Sequence, residues 1–277
     1  MAHIILPQRW TRQPQMAMRV NRSHPLARDL IEFGYVLGGH NPISAMPGLV
    51  DKTFRVGAVE TVATPHGLGI NTNGSGNYIN LNRNLSASSA VATCIVRTTL
   101  PDTLVSTQLF NSALQSGANY IGHFFSSGST GVIGANYGDG GGAAPTDRRS
   151  ADSAAGVAVP GPNTLAFVCR GATDWSLYAN GVSTGTPTYS GTSGTYSTGT
   201  ANGTVNFRAA GSVYGSQSAS SWAFFNRALT DAEIFELYQA PFQILEPIRR
   251  RVFVAVSGGV APSFLPRRPN FTHMLVR

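Results

Sequence analysis

The chain has 277 residues, a formal net charge of +7, 42% hydrophobic and only 12% charged residues, with 31 glycines, 16 prolines and two cysteines. That length holds one large domain with flanking segments, and the hydrophobic fraction suffices for a real core. The abundant Gly, Pro, Ser and Thr speak for short strands joined by turns and against a helical protein; two cysteines exclude a disulfide framework, and no apolar run is long enough to span a bilayer.

Residues 1–23 are polar, rich in Arg and Gln and without periodicity, and are expected to form an extended arm. The opening MAHIILPQRW lacks the charged start and long apolar run of a signal peptide, so synthesis and folding in a cytoplasm are expected. Residues 29–37 are predicted as the first strand, and residues 40–48 as a Pro/Gly linker. From Leu49 to Leu81 short apolar runs alternate with turns. Ala90–Arg97 and Thr164–Arg170 are short, dominantly apolar runs, as expected of strands deep in a sandwich. Each holds a cysteine, Cys94 or Cys169, expected to be a buried, unbonded thiol acting as a small hydrophobe.

Residues 117–162 and 183–204 are rich in Gly, Ser and Thr and are expected to be long surface loops or edge strands. Between them Trp175–Val182 alternates into Asn180-Gly181, a hairpin signal because both residues tolerate positive φ. Val205–Ala210 and Ser220–Phe225 read as closing strands. Thr230 followed by Glu233 is a capping box, Ile234, Leu237 and Tyr238 share one helical face, and Pro241 ends the segment, so a helix is predicted over residues 231–239. Residues 247–277 form a second arm with a short apolar strand at Val252–Val256. Phe167, Leu177 and Trp222 join the two cysteines as predicted core.

Charge is distributed unevenly. Residues 1–28 carry five arginines and residues 247–277 carry six, with no acid in either stretch, while all 13 acids lie between. Among the 20 basic residues only Lys52 is a lysine, so the ends are guanidinium-rich and suited to bidentate contact with carboxylates or phosphates. Two readings stay open: solvated tails, or arms docking on an acidic protein surface. Nucleic acid is disfavoured, since the arms carry no recognised binding module or regular basic helix.

Few residue patterns in the chain carry chemistry. There is no Gly-x-Ser-x-Gly and no His-Glu-x-x-His, and the six histidines lack metal-ligand spacing. Gly138-Asp139-Gly140-Gly141-Gly142-Ala143 fits Gly-x-Gly-x-x-Ala only nominally, because no helix pattern follows. The acids Asp231, Glu233 and Glu236 are accounted for by capping and by the helix dipole. No catalytic residue and no cofactor site is expected.

The strand, capped helix and Pro-aromatic exit across Trp222–Gln243 resemble the C-terminal end of laminin-G-like, concanavalin A-like jelly-roll domains, especially those of tailed-bacteriophage virion proteins. His24-Pro25-Leu26 leading to Tyr35, the Gly74–Leu81 turn and strand, the Asn-Gly hairpin, and Pro241-Phe242-Gln243-Ile244 followed by Arg249, Arg250 and Arg251 carry the same likeness, which covers residues 24–250 in outline. It implies an all-β fold: a two-sheet antiparallel jelly-roll sandwich at residues 24–246 with one short C-terminal helix, between basic arms at 1–23 and 247–277.

The resemblance also implies a structural virion protein, a capsid decoration (cement) or tail-associated subunit that docks on major capsid or tail subunits as a homo-oligomer or symmetric array. Arg9, Arg12, Arg19, Arg22, Arg249, Arg250, Arg251, Arg267 and Arg268 would make those contacts. The alternative is a glycan-binding, lectin-like adhesion module on the virion or cell surface. Its candidate stacking residues are the loop tyrosines Tyr120, Tyr137, Tyr189, Tyr196 and Tyr214, whereas Trp175 and Trp222 are assigned to the core. The Glu-x-Asp-x-x-Glu of hydrolases on this fold is absent. Many laminin-G-like domains bind calcium; Asp139, Asp147, Asp152 and Asp174 with Asn71, Asn73 and Asn77 are the nearby oxygen donors, but they define no ligand set.

Overall fold

The computed structural model describes residues 11–38, 42–46, 54–56, 59–71, 77–82, 84–85, 91–111, 123–138, 148–171, 173–192, 203–205, 207–208, 213–214 and 217–248. In chain order the strands are β1 (Met18–Val20), β2 (Leu30–Tyr35), β3 (Ile43–Ser44), β4 (Phe54–Val56), β5 (Glu60–Thr64), β6 (Gly67–Asn71) and β7 (Tyr78–Asn80). There follow β8 (Ala92–Leu100), β9 (Thr107–Asn111), β10 (His123–Ser127), β11 (Val132–Gly138), β12 (Arg148–Asp152), β13 (Gly161–Gly171) and β14 (Asp174–Ala179). The last are β15 (Val182–Ser183), β16 (Thr188–Gly191), β17 (Thr204–Val205), β18 (Phe207–Arg208), β19 (Val213–Tyr214), β20 (Ser218–Phe225) and β21 (Leu245–Pro247), with α1 (Asp231–Gln239) between β20 and β21.

Two antiparallel sheets carry the fold. One has the order β16-β12-β11-β10-β9-β17-β7-β4; the other runs β15-β14-β13-β8-β20-β2-β3, with β6 branching from β20 and β5 pairing β6. This is an all-β jelly-roll sandwich with one short helix. No helix among the described residues is long and apolar enough to cross a membrane.

The second sheet is covered on both faces, which explains its nearly continuous apolar runs. Side chains alternate along a strand, so Cys94 and Val96, Leu165, Phe167 and Cys169, and Trp222 and Phe224 face the core between the sheets. Their neighbours Ile95, Ala166, Val168, Ala223 and Phe225 face a second apolar layer against Ile234 and Leu237 of α1 and Phe242 beyond it. Both cysteines are buried and unbonded, and burial pushes both thiols up, Cys169 to about 12, which leaves them inert.

The local signals behave as the sequence suggests. Asn180 and Gly181 take φ of 52° and 81° and turn β14 into β15. Thr230 Oγ1 accepts from Glu233 N at 3.3 Å while Thr230 N donates to Glu233 Oε2 at 2.9 Å. Arg227 clamps the same carboxylate through Nη1 and Nη2 at 2.9 and 2.7 Å, and together these bonds hold the Glu233 pKa below the usual range. Tyr178 Oη donates to Asp231 Oδ1 at 2.6 Å and ties α1 to the hairpin strand.

Three expectations are corrected. The stretch 117–162 supplies β10, β11 and β12, all three of which lie inside the first sheet; Phe124, Ile133, Ala135 and Tyr137 point to the core, a pattern hidden by the small residues around them. The expected linker holds β3, which pairs β2, and Ala45 and Met46 beside it are buried. The segment expected to be a free arm packs on this chain's own sandwich from Gln13 onward. Gln13 Nε2 donates to the carbonyls of Leu68 and Ser220 at 2.9 and 3.2 Å, and Met18 and Val20 are buried. There β1 pairs β21, joining residue 18 to residue 247, and Tyr35 Oη accepts from Met18 N and donates to Met16 O, both at 2.8 Å. Val252–Val256 lies outside the described residues.

Candidate functional site

Arg97 of β8 is a charged residue built into the outer face of the helix-covered sheet. On β8 the alternation that sends Cys94 and Val96 inward sends Ile95 and Arg97 outward, and Arg97 stands across from Thr164 and Ser221. Beyond the end of α1 the apolar cover stops. An open cleft of about 330 Å3 lies there, lined by His66, Arg97, Pro162, Asn180, Tyr238 and Gln239.

Five segments position these groups. His66 sits in the turn between β5 and β6, where Thr64 Oγ1 accepts from His66 N at 3.1 Å and donates to the Gly67 carbonyl at 2.8 Å. Asn180 is held by its own amide, since Oδ1 accepts from Thr164 N at 2.9 Å. Tyr238 and Gln239 end α1. Tyr238 packs against the hairpin turn, so close that a Cβ on Gly181 would stand 2.8 Å from its Cδ1. Next to it, Phe235 is 49% exposed with its ring centroid 6.3 Å from that of Tyr238.

The electrostatics of the cleft are unbalanced. Arg97 Nη2 lies 3.2 Å from His66 Nδ1. A guanidinium only donates, so Nδ1 accepts and the imidazole is neutral with its proton on Nε2. Burial first, then the adjacent Arg97 charge, push the His66 pKa down to about 4, against a smaller opposite pull from the Asn163 backbone. Arg97 Nε is buried without an acceptor, and burial lowers the Arg97 pKa, with Tyr238 acting the other way. No acid lines the cleft among the described residues. Other arginines have carboxylates: Arg19 has Glu246 at 2.8 Å, Arg170 has Asp174 at 3.3 Å and Arg227 has Glu233 at 2.7 Å.

Few of the sequence candidates meet here. Arg12 is exposed, Arg19 is paired with Glu246, and Arg22 Nη1 donates to the Leu30 carbonyl at 2.8 Å. Arg9, Arg249, Arg250, Arg251, Arg267 and Arg268 lie outside the described residues. Of the loop tyrosines, Tyr137 is core, stacked on Trp175 at 5.6 Å, and Tyr189 Oη accepts from Trp175 N at 2.9 Å. Tyr120 and Tyr196 fall outside the described residues. No group of three or more His, Cys, Asp or Glu is arranged to hold a metal among the described residues; Asp139, Asp147 and Asn73 lie outside them. Arg97, His66 and Gln239 were not singled out from sequence. The available signal was a lone charge, Arg97, in the run Val91–Leu100.

No family model matches the sequence, and no curated protein matches it. The fold belongs to the class of β-sandwich modules, and solved structures share it. The binding domain of Paraclostridial Mosquitocidal Protein 1 is similar at a TM-score of 0.57 and 13% identity, over 78% of this chain and 53% of that one. The receptor binding domain of botulinum neurotoxin D gives 0.57 at 12% identity, over 78% and 54%. Trypanosoma rangeli sialidase, in complex with sialic acid, gives 0.51 at 15%, over 78% and 33%. The chain thus spans about half of the toxin domains and a third of the sialidase. At such identities the likeness is one of fold.

Proposed function

We propose that this protein is a non-catalytic carbohydrate-binding module whose ligand site is the cleft beside the end of α1. The observation that carries the reading is the set of groups it brings together: the guanidinium of Arg97, the aromatic ring of Tyr238, and the amides of Asn180 and Gln239. A sugar offers an apolar ring face and a rim of hydroxyls, and a concave site with one ring and a few fixed polar groups complements both. The sandwich neighbours support the reading as binding domains; the botulinum neurotoxin type C structure, at a TM-score of 0.56 and 8% identity, is described as depending on two ganglioside molecules for cell entry. The test is a glycan screen of the full chain. Binding is expected for a subset of sugars and is lost in Tyr238→Ala; a screen with no ligand overturns the reading.

A second reading rests on the charge layout. Eleven arginines concentrated in residues 1–28 and 247–277, around a body holding every acid, suit a subunit of a tailed-phage virion that docks on capsid or tail neighbours through its ends, after synthesis in a host cytoplasm. With residues 13–22 packed at home, Arg9, Arg249, Arg250, Arg251, Arg267 and Arg268 would make those contacts. Co-sedimentation of the chain with purified particles, with and without Arg249, Arg250 and Arg251 changed to Gln, tests it.

A further inference from the structure

We infer that the ligand of this cleft is an acidic sugar, whose carboxylate pairs with Arg97. The inference rests on the carbohydrate reading above and narrows it to a chemical class.

The charge of Arg97 is not balanced within the cleft. A guanidinium withdrawn from water loses hydration that only hydrogen bonds and an opposite charge replace. Arg97 has neither in full: one bond goes to a neutral imidazole, Nε–H has no acceptor, and no carboxylate lines the cleft among the described residues. Arg19, Arg170 and Arg227, by contrast, are matched to Glu246, Asp174 and Glu233. Here the counter-charge is left to come from outside.

The surroundings select which anion. His66 accepts from Nη2 and so fixes the plane of the guanidinium without neutralising it. A planar fork of donors meets the two coplanar oxygens of a carboxylate together and holds them bidentately. Asn180 lines the cleft with its Oδ1 committed to Thr164 N, so what its side-chain amide offers a ligand is the NH2 donor. Gln239 and the Tyr238 hydroxyl add groups that donate or accept, as sugar hydroxyls require. A volume of about 330 Å3 is at the lower end of ligand sites, roughly 300–1,000 Å3, and suits one sugar ring with its substituent. Arg97 is therefore a specificity-determining residue, and His66 a positioning residue acting through it.

The experiment is a titration of the full chain, by calorimetry and ligand-observed NMR, with methyl uronides and methyl sialosides, each beside its uncharged methyl ester and a sulfated sugar of equal charge. The acids are expected to bind at least tenfold more tightly than their esters and more tightly than the sulfated sugars. Arg97→Gln abolishes that preference. It also removes an unpaired charge, so it melts no lower than the parent, and acidic sugars raise the melting temperature of the parent alone. Gln239→Glu, at an exposed rim position, gives a variant independent of the Arg97 packing and weakens acid binding several-fold by repulsion. Equal binding of acids and esters overturns the inference and leaves the carbohydrate reading standing. Preference for sulfate, or an unchanged acid preference in Arg97→Gln, also overturns it. No binding by any sugar overturns both.

Discussion

Replacing Gly34 by alanine tests the packing of the sandwich at its tightest point. Gly34 of β2 stands directly across from Trp222 of β20, and the indole lies over the glycine. A Cβ built there meets Trp222 Cε2 and Cζ2 at 2.2 Å and Nε1 at 2.5 Å, about 1.3 Å short of the ~3.5 Å at which carbon atoms touch. The ring has nowhere to go: it is 1% exposed and Nε1 donates to Glu32 Oε1 at 3.2 Å. Overpacking of this kind costs about 1–3 kcal/mol, and losing the bond to a buried carboxylate adds about 1–3 kcal/mol. Alanine restricts the unfolded chain and returns about 0.4–1 kcal/mol. The net expectation for Gly34→Ala is a loss of about 3 kcal/mol, or roughly 6–12 °C in melting temperature for a domain of this size. Thermal melts followed by near-ultraviolet circular dichroism, which reports the indole environment, read both effects at once. Trp222→Phe makes room for the new methyl, so the double variant should be more stable than the sum of the single losses predicts by about 1 kcal/mol or more. A Gly34→Ala protein melting within a degree of the parent, or strict additivity in the cycle, would refute the reasoning.

Three further outcomes are expected. Thr230→Ala removes one half of the capping box and should cost about 1 kcal/mol, read as a drop of roughly 2–4 °C; no drop means the box contributes nothing here. His66 has a folded pKa of about 4 against 6.5 unfolded, so its contribution is full above pH 6.5 and is lost as pH falls toward 4. Discounted for solvent screening of a partly buried ring, the loss is about 1–2 kcal/mol; in His66→Gln the melting temperature should fall less over that interval, and parallel pH profiles would exclude the assignment. Deleting residues 1–23 removes the buried Met18 and Val20 and the Gln13 bonds, a loss of about 5 kcal/mol or more from burial and hydrogen bonding. A truncated protein that melts like the parent would restore the free-arm reading.

What the sequence makes legible depends on the span of the interaction. Asn180-Gly181 and Thr230 with Glu233 are decided within four residues, and both are found where expected. Cys94, Phe167, Leu177, Cys169 and Trp222 are buried because apolar runs on a doubly covered sheet leave no polar alternative. Gln13 is different: it looks like any polar residue until Leu68 and Ser220 come to it. Tyr137 reads as a loop aromatic because Gly134, Ala135 and Gly138 beside it conceal a core strand. The cleft was hardest to read. Arg97 was visible as a charge out of place, but His66, Asn180 and Tyr238 are assembled around it only by the fold.

The three-residue ladder between β1 and β21 has a mechanical consequence. Because Met18 faces Pro247 and Val20 faces Leu245, the chain leaves both strands from the same end of the ladder. Tension applied through those two exits loads the rungs one after another, as in a zipper, and not together in shear. The clasp therefore opens at low force, while the long ladders of β8, β13 and β20 bear none of the load until it has gone. A molecule tethered by both ends would respond to pulling in two stages: a soft extension that frees the N-terminal segment, then a stiff sandwich with its cleft intact.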